Sequence, residues 1–334
     1  MTDPNIPGLP SGNVLIIPTH PGVQYHFCRT GLPISFLGHW DQFKYWRPQP
    51  ENVTNVLPSF EDAHLDYGPD DYARLLDSDE FGWPAHYERD AQSPPIAWLM
   101  FNWQWKLFAN RPGKVLYRVC KNAELESHEW DELLARPNTR VVSFYPNTVA
   151  WLKEHKKVDV PYVPLGLDPE SYGPWSGHEK SVLSIIHTYR ERGWHFRQYQ
   201  DAMETVPHLH VDHLDEAQEK YDYEGIQRLY RAHRVYLHDG EQEYTITLIE
   251  ALMTGMPIVS FRIPGIERYV QHGVNGFVGE DAKSIREYCR MLLSDDDLAT
   301  RMGAASRAMA LKEYNEARWK AEWQTLMRDF ANAP

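Results

Sequence analysis

The stretch GEQEYTITLIEALMTGMP, residues 240–257, combines carboxylates with the start of a helix. Thr245 is a good N-cap residue and Gly255 a good C-terminal stop, so we predict a helix over 246–254. The first backbone N–H groups of a helix have no partner within the helix, and they attract anions. The first turn of this helix is therefore a predicted phosphate site.

Polar side chains stand on both sides of this helix start. Glu250 follows one turn into the helix, where its carboxylate can reach a diol next to a bound phosphate. Gln242 and Glu243 precede the helix. This arrangement suits a ligand with a phosphate group and a hydroxylated ring at each end. An ordinary amphipathic helix after an acidic loop explains the same spacing, so the pattern alone leaves both interpretations open.

A second set of potential ligands lies in HLHVDH, residues 208–213, which matches the metal motif of the metallo-β-lactamase fold. Its histidines and aspartate have a spacing that binds a pair of zinc ions. The glycine that usually follows that motif is missing here, and His208, His210 and Asp212 alternate as along one edge of a strand. A zinc hydrolase is therefore an alternative, and no metal site is assigned.

Residues 101–121, FNWQWKLFANRPGKVLYRVCK, are basic and rich in aromatic residues. No acid occurs between Asp90 and Glu124, and the cations include Lys114 and Arg118. An exposed stretch of this kind binds the phosphates of nucleic acid or lipid and stacks bases on its aromatic rings. A pair of strands with aromatic residues in the core and charges in solvent accounts for it equally well.

Alternating strands and helices must position these residues. We predict strands in the segments NVLIIPTHPG, PISFLG, PIAWLMFN, GKVLYRVC, TRVVSFYPN, SVLSIIHTY, HLHVDHL, RVYLHDG and PIVSF. Residues 48–95 contain ten acids against two bases between Glu61 and Asp90, which indicates a solvated and partly irregular insertion. Residues 161–177 are rich in Pro and Gly and read as a linker.

The alternation predicts an α/β protein of two Rossmann-like, doubly wound domains that face a cleft. Ligands of such sheets bind beyond the carboxyl ends of the strands. We place an N-terminal domain at 1–168, a C-terminal domain at 169–312 and a final helix within 313–334.

Composition excludes several classes of protein. The formal net charge of −13 argues against a general polyanion binder, and the twenty glycines never occur two apart, so the dinucleotide-binding Gly-x-Gly-x-x-Gly motif is absent. Three scattered cysteines, no signal-peptide pattern and no long apolar run predict a soluble, cytoplasmic protein.

Three segments resemble the retaining GT-B-fold glycosyltransferases, in particular the large family 4. Glu250-Ala251 and Gly255-Met256-Pro257 match the second half of the donor-binding motif of that family, which has two glutamates separated by seven residues. PGIERYVQHGVNGFVGED (264–281) resembles its Gly-x-x-Glu…Gly-x-Asn-Gly segment. LGLDPESYGP (165–174) resembles its interdomain linker. The likeness extends over about 140–330. It implies that the N-terminal domain binds the acceptor, that the C-terminal domain binds the donor, and that the final helix packs back on the N-terminal domain.

The resemblance implies a role for each matching residue. Glu250 should hold the ribose hydroxyls of a nucleotide. The backbone N–H groups of the helix start should meet the sugar and diphosphate. A basic loop after the first strand of the domain should bridge the diphosphate and offset the charge on the leaving group. The donor-binding residues implied in this way are Arg190, Arg192, Gly193, Thr245, Ile246, Thr247 and Glu250.

The catalytic side departs from the family at one position. Gln242 stands where the first glutamate of the family contacts the transferred sugar, and an amide lacks the charge that stabilises an oxocarbenium-like state. The site tolerates an amide, or Glu241 or Glu243 takes the role, or the protein binds sugar nucleotides without turnover. We predict Gln242, Glu243 and His20 as catalytic residues.

The predicted function is a glycosyltransferase that moves a sugar from a nucleotide-diphosphate sugar, UDP-sugar first, to an acceptor hydroxyl. No bound cofactor is implied. The acceptor is a polysaccharide, a lipid-linked glycan or a modified base of DNA. It is expected to enter over the N-terminal domain, at Gly22, Lys114 and Arg118. The alternatives are a non-catalytic sugar-nucleotide-binding protein and, more remotely, the zinc hydrolase.

Overall fold

The computed structural model divides the chain into two compact units, Met1–Pro164 with Arg318–Pro334 and Leu165–Ala317. It describes residues 14–19, 21–38, 40, 48–55, 68–77, 96–119, 125–186, 193–212, 221–238 and 244–333. The first unit is discontinuous in sequence, because the last 17 residues of the chain belong to it.

The first unit contains a parallel sheet of six strands in the order β3-β2-β1-β4-β5-β6. The strands are β1 (Val14–Ile16), β2 (Ile34–Phe36), β3 (Val53–Asn55), β4 (Ile96–Leu99), β5 (Lys114–Val119) and β6 (Thr139–Ser143). In register, Val14 pairs with Ile34 on one side and with Ile96 on the other. Strands β1, β4 and β5 are buried along their whole length, as expected of central strands covered on both faces.

Helices flank this sheet. They are α1 (Pro21–Cys28), α2 (Pro69–Asp77), α3 (Asn102–Phe108), α4 (Ser127–Ala135) and α5 (Pro146–Trp151), which continues as a π-helical turn over Leu152–Lys156. The last helix of the chain, α11 (Glu316–Asn332), also packs here. Its Trp323 meets the ring of Phe27 edge to face at 4.8 Å, and Phe27 stacks on Trp98 of β4 at 4.4 Å.

The prediction of a partly irregular insertion at 48–95 is wrong for two of its segments. Residues 53–55 form the edge strand β3, in which Val53 is buried. Helix α2 buries Tyr72 and Leu76 and places its acids in the first turn and on the outer surface. Dense charge on one face of an amphipathic helix is compatible with a buried opposite face. Residues 56–67 and 78–95 lie outside the described part.

The second unit contains a parallel sheet of five strands in the order β11-β10-β9-β7-β8. The strands are β7 (Glu179–Ile185), β8 (His208–Val211), β9 (His233–His238), β10 (Ile258–Phe261) and β11 (Gly276–Gly279). The helices are α6 (Trp194–Met203), α7 (Tyr223–Ala232), α8 (Ile246–Thr254), α9 (Ala282–Ser294) and α10 (Asp296–Glu313), with a 3-10 turn at Ile266–Arg268. The α/β class predicted from the sequence is confirmed in both units.

A close approach between β10 and β11 requires a glycine. A Cβ atom on Gly276 would lie 1.9 Å from the carbonyl oxygen of Ile258. No side chain fits there, and only glycine lets the two strands pair in this register. Strand packing thereby explains the glycine of the Asn-Gly pair at 275–276.

Candidate functional site

Helix α8 begins after the central strand β9 and is capped as the sequence predicts. The Oγ1 atom of Thr245 accepts a hydrogen bond from the backbone N–H of Leu248 at 3.1 Å, and its backbone is extended. Gly255 ends the helix in the left-handed conformation with φ of 93°. The predicted bounds of 246–254 are therefore confirmed. The remaining N–H groups of the first turn, at Ile246 and Thr247, have no intrahelical acceptor, and the positive end of the helix dipole lies there.

Glu250 lies one turn into α8, about 4.5 Å along the helix axis from Thr247. Its side chain is buried. The Tyr172 hydroxyl donates to Oε1 at 2.7 Å, and the Tyr230 hydroxyl donates to Oε2 at 3.0 Å. A buried carboxylate requires such donors, because leaving its charge desolvated and unpaired costs several kcal/mol.

Both tyrosines are themselves buried. The Tyr230 hydroxyl also lies 3.3 Å from the carbonyl oxygen of Thr247, so it bridges the first turn of α8 to the carboxylate. Burial, and after it the neighbouring charge of Glu250, raises the pKa of Tyr230 well above its ordinary value. The phenol therefore stays protonated and remains a hydrogen-bond donor at neutral pH.

The sequence did not reveal these tyrosines. Tyr230 lies on the inward face of α7, where the helical period would have placed it in the core but not next to Glu250. Tyr172 lies in the linker, which has no periodic pattern, so only the folded structure brings it to the site.

A third residue was also missed. Gln227 precedes Tyr230 by one turn on the same face of α7 and is buried. Within the described residues, its side-chain nitrogen has no hydrogen-bond partner. Helices α7 and α8 each follow a strand of the same parallel sheet, so both begin at the same edge of that sheet. A buried amide without a partner needs an explanation, and a ligand supplies one.

Other predicted donor residues fall at or beyond the limits of the described residues. Gly193 is the N-cap residue of α6 with φ of 53°, and a Cβ atom there would meet nothing within 4 Å. The remaining predicted residues of the donor and catalytic sets, Arg190, Arg192, Gln242, Glu243 and His20, lie outside the described part of the chain.

Two glutamine side chains of the first unit hold the loop after β1 by hydrogen bonds to its backbone. Gln24 accepts from the backbone N–H of Thr19 at 2.8 Å and donates to the carbonyl of Ile17 at 2.6 Å. Gln104 of α3 donates to the same carbonyl at 3.3 Å. Gly22, predicted on the acceptor side, lies in the first turn of α1, which begins with Pro21 at its first helical position.

Lys114 and Arg118 require a correction, since the structure buries both side chains. The Lys114 ammonium donates to the carbonyl oxygens of Phe330, Ala331 and Ala333 at 2.8, 2.9 and 2.6 Å, at the end of α11. Its three donors meet three carbonyls that the helix cannot satisfy. Burial, and after it the charge of Arg140, lowers the pKa of Lys114.

Arg118 lies in the strand β5, and its guanidinium stacks on the ring of Phe144 at 4.1 Å. Neither cation is on an exposed basic surface, so the two do not form the phosphate-binding patch that the sequence suggested. They are structural cations of the first unit.

The first two histidines of HLHVDH, His208 and His210, lie on the edge strand β8. His208 contacts the carbonyl of Val206 at 2.9 Å through Nδ1, and His210 contacts the Ser184 hydroxyl at 2.9 Å. In the described part of the chain, no group of three or more His, Cys, Asp or Glu side chains is arranged to hold a metal ion. His213 lies outside that part.

No helix among the described residues combines the length and the apolar character needed to cross a bilayer.

The chemistry that the described site supports is recognition of an anion at the start of α8 next to a hydroxylated group at Glu250.

Comparison with known proteins finds a family match within the second unit. Residues 212–309, which include α7, α8 and the 264–281 segment, match the family model for glycosyl transferases group 1. N-acetyl-alpha-D-glucosaminyl L-malate synthase from Bacillus anthracis is 25% identical over 91 residues, which are 27% of this chain and 24% of that protein. The matched segment therefore spans about a quarter of that relative.

Solved structures extend the likeness over nearly the whole chain. Sucrose-phosphate synthase from Thermosynechococcus elongatus superposes with a TM-score of 0.67 at 13% identity, over 95% of this chain and 98% of that one. Anabaena Alr3699/HepE in complex with UDP-glucose superposes with a TM-score of 0.64 at 13% identity, over 94% of this chain and 99% of that one. At such identities the superpositions establish the fold. The chain thus has the GT-B fold, and its residues 212–309 are similar to the glycosyl transferases group 1 family.

Proposed function

We propose that this protein transfers a sugar from a nucleotide-diphosphate sugar to an acceptor hydroxyl with retention of anomeric configuration. One observation carries the proposal: α8 combines a capped, anion-attracting first turn with the buried carboxylate of Glu250 one turn later, inside the segment that matches the family. A nucleoside diphosphate has the complementary pair of groups, a diphosphate next to a ribose diol.

The donor is bound in three parts. The diphosphate lies at the N–H groups of Ile246 and Thr247. The ribose hydroxyls donate to Glu250. The transferred sugar lies near Gln242 and Glu243, with Arg190 and Arg192 offsetting the charge of the diphosphate. UDP is the first candidate nucleotide, since Anabaena Alr3699/HepE, a protein of the same fold, is found in complex with UDP-glucose.

In the reaction, the acceptor oxygen forms a bond to the anomeric carbon while the bond from that carbon to the β-phosphate oxygen breaks. The acceptor proton goes to the leaving phosphate, so no dedicated general base is required. Positive groups and N–H dipoles at the diphosphate stabilise the charge that builds up on the leaving group. His20 and Gly22 lie on the acceptor side in this proposal.

The acceptor is a polysaccharide or a lipid-linked glycan. The DNA alternative rested on an exposed basic stretch, and the burial of Lys114 and Arg118 removes two of its cations from the surface. We therefore favour a carbohydrate hydroxyl.

The second candidate is a protein that binds a sugar nucleotide without transferring the sugar. Gln242 favours it, because an amide replaces the glutamate that the family places beside the transferred sugar. The two candidates differ in one observable, the slow hydrolysis of the donor that a transferase performs without its acceptor.

A thermal-shift screen of UDP-, GDP- and ADP-sugars tests the donor, followed by a hydrolysis assay on the sugar nucleotide that binds. We expect one nucleotide class to raise the melting temperature and to be hydrolysed slowly. Glu250→Ala is expected to weaken its binding at least tenfold, whereas Glu287→Ala, at an exposed position on α9, leaves binding unchanged. Binding without hydrolysis selects the second candidate, and the absence of binding by any sugar nucleotide refutes both.

A further inference from the structure

The linker segment Asp168–Pro174 is fixed to the second unit by two arginines. Arg307 of α10 donates to the carbonyl oxygen of Pro169 at 2.8 Å and to that of Tyr172 at 3.2 Å. Arg231 of α7 donates to the carbonyl oxygen of Ser171 at 2.9 Å. Three carbonyl groups of this backbone are thus bonded to helices of the second unit, so the segment has a defined position.

Tyr172 projects from this fixed backbone into the interior, where 1% of its surface is exposed. Its hydroxyl donates to Oε1 of Glu250 at 2.7 Å, a short bond typical of a phenol and a charged acceptor. Tyr230 donates to the other oxygen. With one fixed donor on each oxygen, the plane and the direction of the carboxylate are set before any ligand arrives.

Orientation of this kind matters for a diol. Two vicinal hydroxyls bind a carboxylate well only if both oxygens are presented in the right plane, and preorganisation removes the entropy cost of finding that plane. Since a carboxylate accepts up to about four hydrogen bonds, tyrosine donors and ligand hydroxyls can share it.

We propose that Tyr172 is a positioning residue that aligns the Glu250 carboxylate with the vicinal diol of a nucleotide ribose, an inference that rests on the proposed function. Tyr172 itself does not contact the nucleotide in this proposal. It acts through Glu250, and its own position is set by Arg307. The linker is thereby part of the donor site and determines how strictly that site selects ribose over deoxyribose.

The test uses the full-length protein and pairs of probes that differ in one hydroxyl. The affinities of UDP and 2′-deoxy-UDP are measured by titration calorimetry, with the GDP and ADP pairs taken in turn if UDP does not bind. The wild-type protein is expected to prefer the ribonucleotide. Tyr172→Phe is expected to weaken ribonucleotide binding about tenfold and to leave the 2′-deoxynucleotide nearly unchanged, so that the preference collapses.

Two further variants complete the design. Tyr230→Phe removes the donor to the other oxygen and is expected to reduce the preference as Tyr172→Phe does. Tyr199→Phe is the matched control, since this buried tyrosine of the same unit bonds its hydroxyl to Ser184 at 2.8 Å and not to Glu250. It is expected to keep the wild-type preference.

The outcomes separate this inference from the proposed function. If Tyr172→Phe weakens both members of the pair equally, or weakens neither, Tyr172 does not orient the carboxylate and the inference is wrong. If Glu250→Gln removes the ribose preference while Tyr172→Phe retains it, the donor site stands and only the positioning role fails. If no nucleoside diphosphate binds the wild-type protein, the proposed function fails and the inference with it.

Discussion

Gln227 illustrates how a single residue points to a ligand. Its buried amide nitrogen lacks a hydrogen-bond partner among the described residues, and such a donor destabilises a protein that has no ligand to satisfy it. We expect an oxygen of the bound nucleotide to accept a hydrogen bond from this amide. Stability of the ligand-free protein then favours an apolar side chain at this position, whereas nucleotide binding favours the amide.

Replacing this amide with an apolar side chain separates the two demands. We expect Gln227→Leu to leave the melting temperature of the ligand-free protein unchanged or raised, and to weaken nucleotide binding several-fold. Gln200→Leu, at an exposed position on α6, is the control and should change neither property. Thermal denaturation and titration calorimetry measure both. A lower melting temperature with unchanged affinity would show that Gln227 has a structural role only.

Sequence patterns located some of the site and missed the rest for a physical reason. Thr245 and Glu250 belong to one helix, so capping preference and helical spacing placed them correctly relative to each other. Tyr172 and Tyr230 reach Glu250 from separate segments, 78 and 20 residues away in sequence. A single sequence contains no signal for such contacts, because they depend on the three-dimensional arrangement of the helices and the linker.

At the scale of elements, the central strands were predictable because strands buried on both faces are continuous apolar runs in the sequence. Helix α8 was predictable because its capping residues mark its two ends. The helices α3, α4 and α10 were not predicted. Residues 102–108 of α3 include three aromatic residues, a composition that also fits a pair of strands, yet Gln104, Trp105 and Phe108 lie on one buried helical face. In a segment this short, aromatic residues do not distinguish a strand from a helix.

Helix α10 is attached to the second sheet through its first turn. Asp296 accepts from Arg234 of β9 and from Lys180 of β7, the latter at 3.0 Å. The hydrogen bond from Arg234, and after it that from Lys180, lowers the pKa of Asp296. A carboxyl group with a lowered folded-state pKa contributes stability that is present above its unfolded-state pKa of about 3.9 and is lost as the pH falls through the folded-state value.

We therefore expect Asp296→Asn to lower the free energy of unfolding at pH 7, with a gap to the wild type that narrows below about pH 4. Asp297→Asn, one residue along the same exposed turn, is the control and should show little effect. Chemical denaturation from pH 7 down to the lowest pH at which the wild type stays folded measures the gap. A gap that is constant over this range would contradict the assigned ion pair.

At the scale of the whole molecule, all the described donor residues belong to the second unit. The first unit depends on α11, whose Trp323 is fully buried against Phe27 and Trp319. Damage to this core should therefore leave the nucleotide site intact.

Trp323→Ala is expected to lower the stability of the first unit by about 3–5 kcal/mol, the usual cost of removing a buried large aromatic side chain. Nucleotide affinity, measured by calorimetry below the unfolding transition, is expected to stay within about twofold of the wild-type value, because substitutions away from a site usually have small effects on it. Thr325→Ala, exposed on the same helix, should alter neither property. A large loss of affinity in Trp323→Ala would show that the donor site depends on the first unit.

The return of the chain to its first unit has a consequence for synthesis on the ribosome. Leu165–Ala317 is contiguous, so it can emerge and fold as the polypeptide is made. Met1–Pro164 emerges earlier but is completed by Arg318–Pro334, which is synthesised only after the second unit. A stop codon directly after Ala317 would therefore yield a product whose second unit is complete while its first unit lacks most of α11.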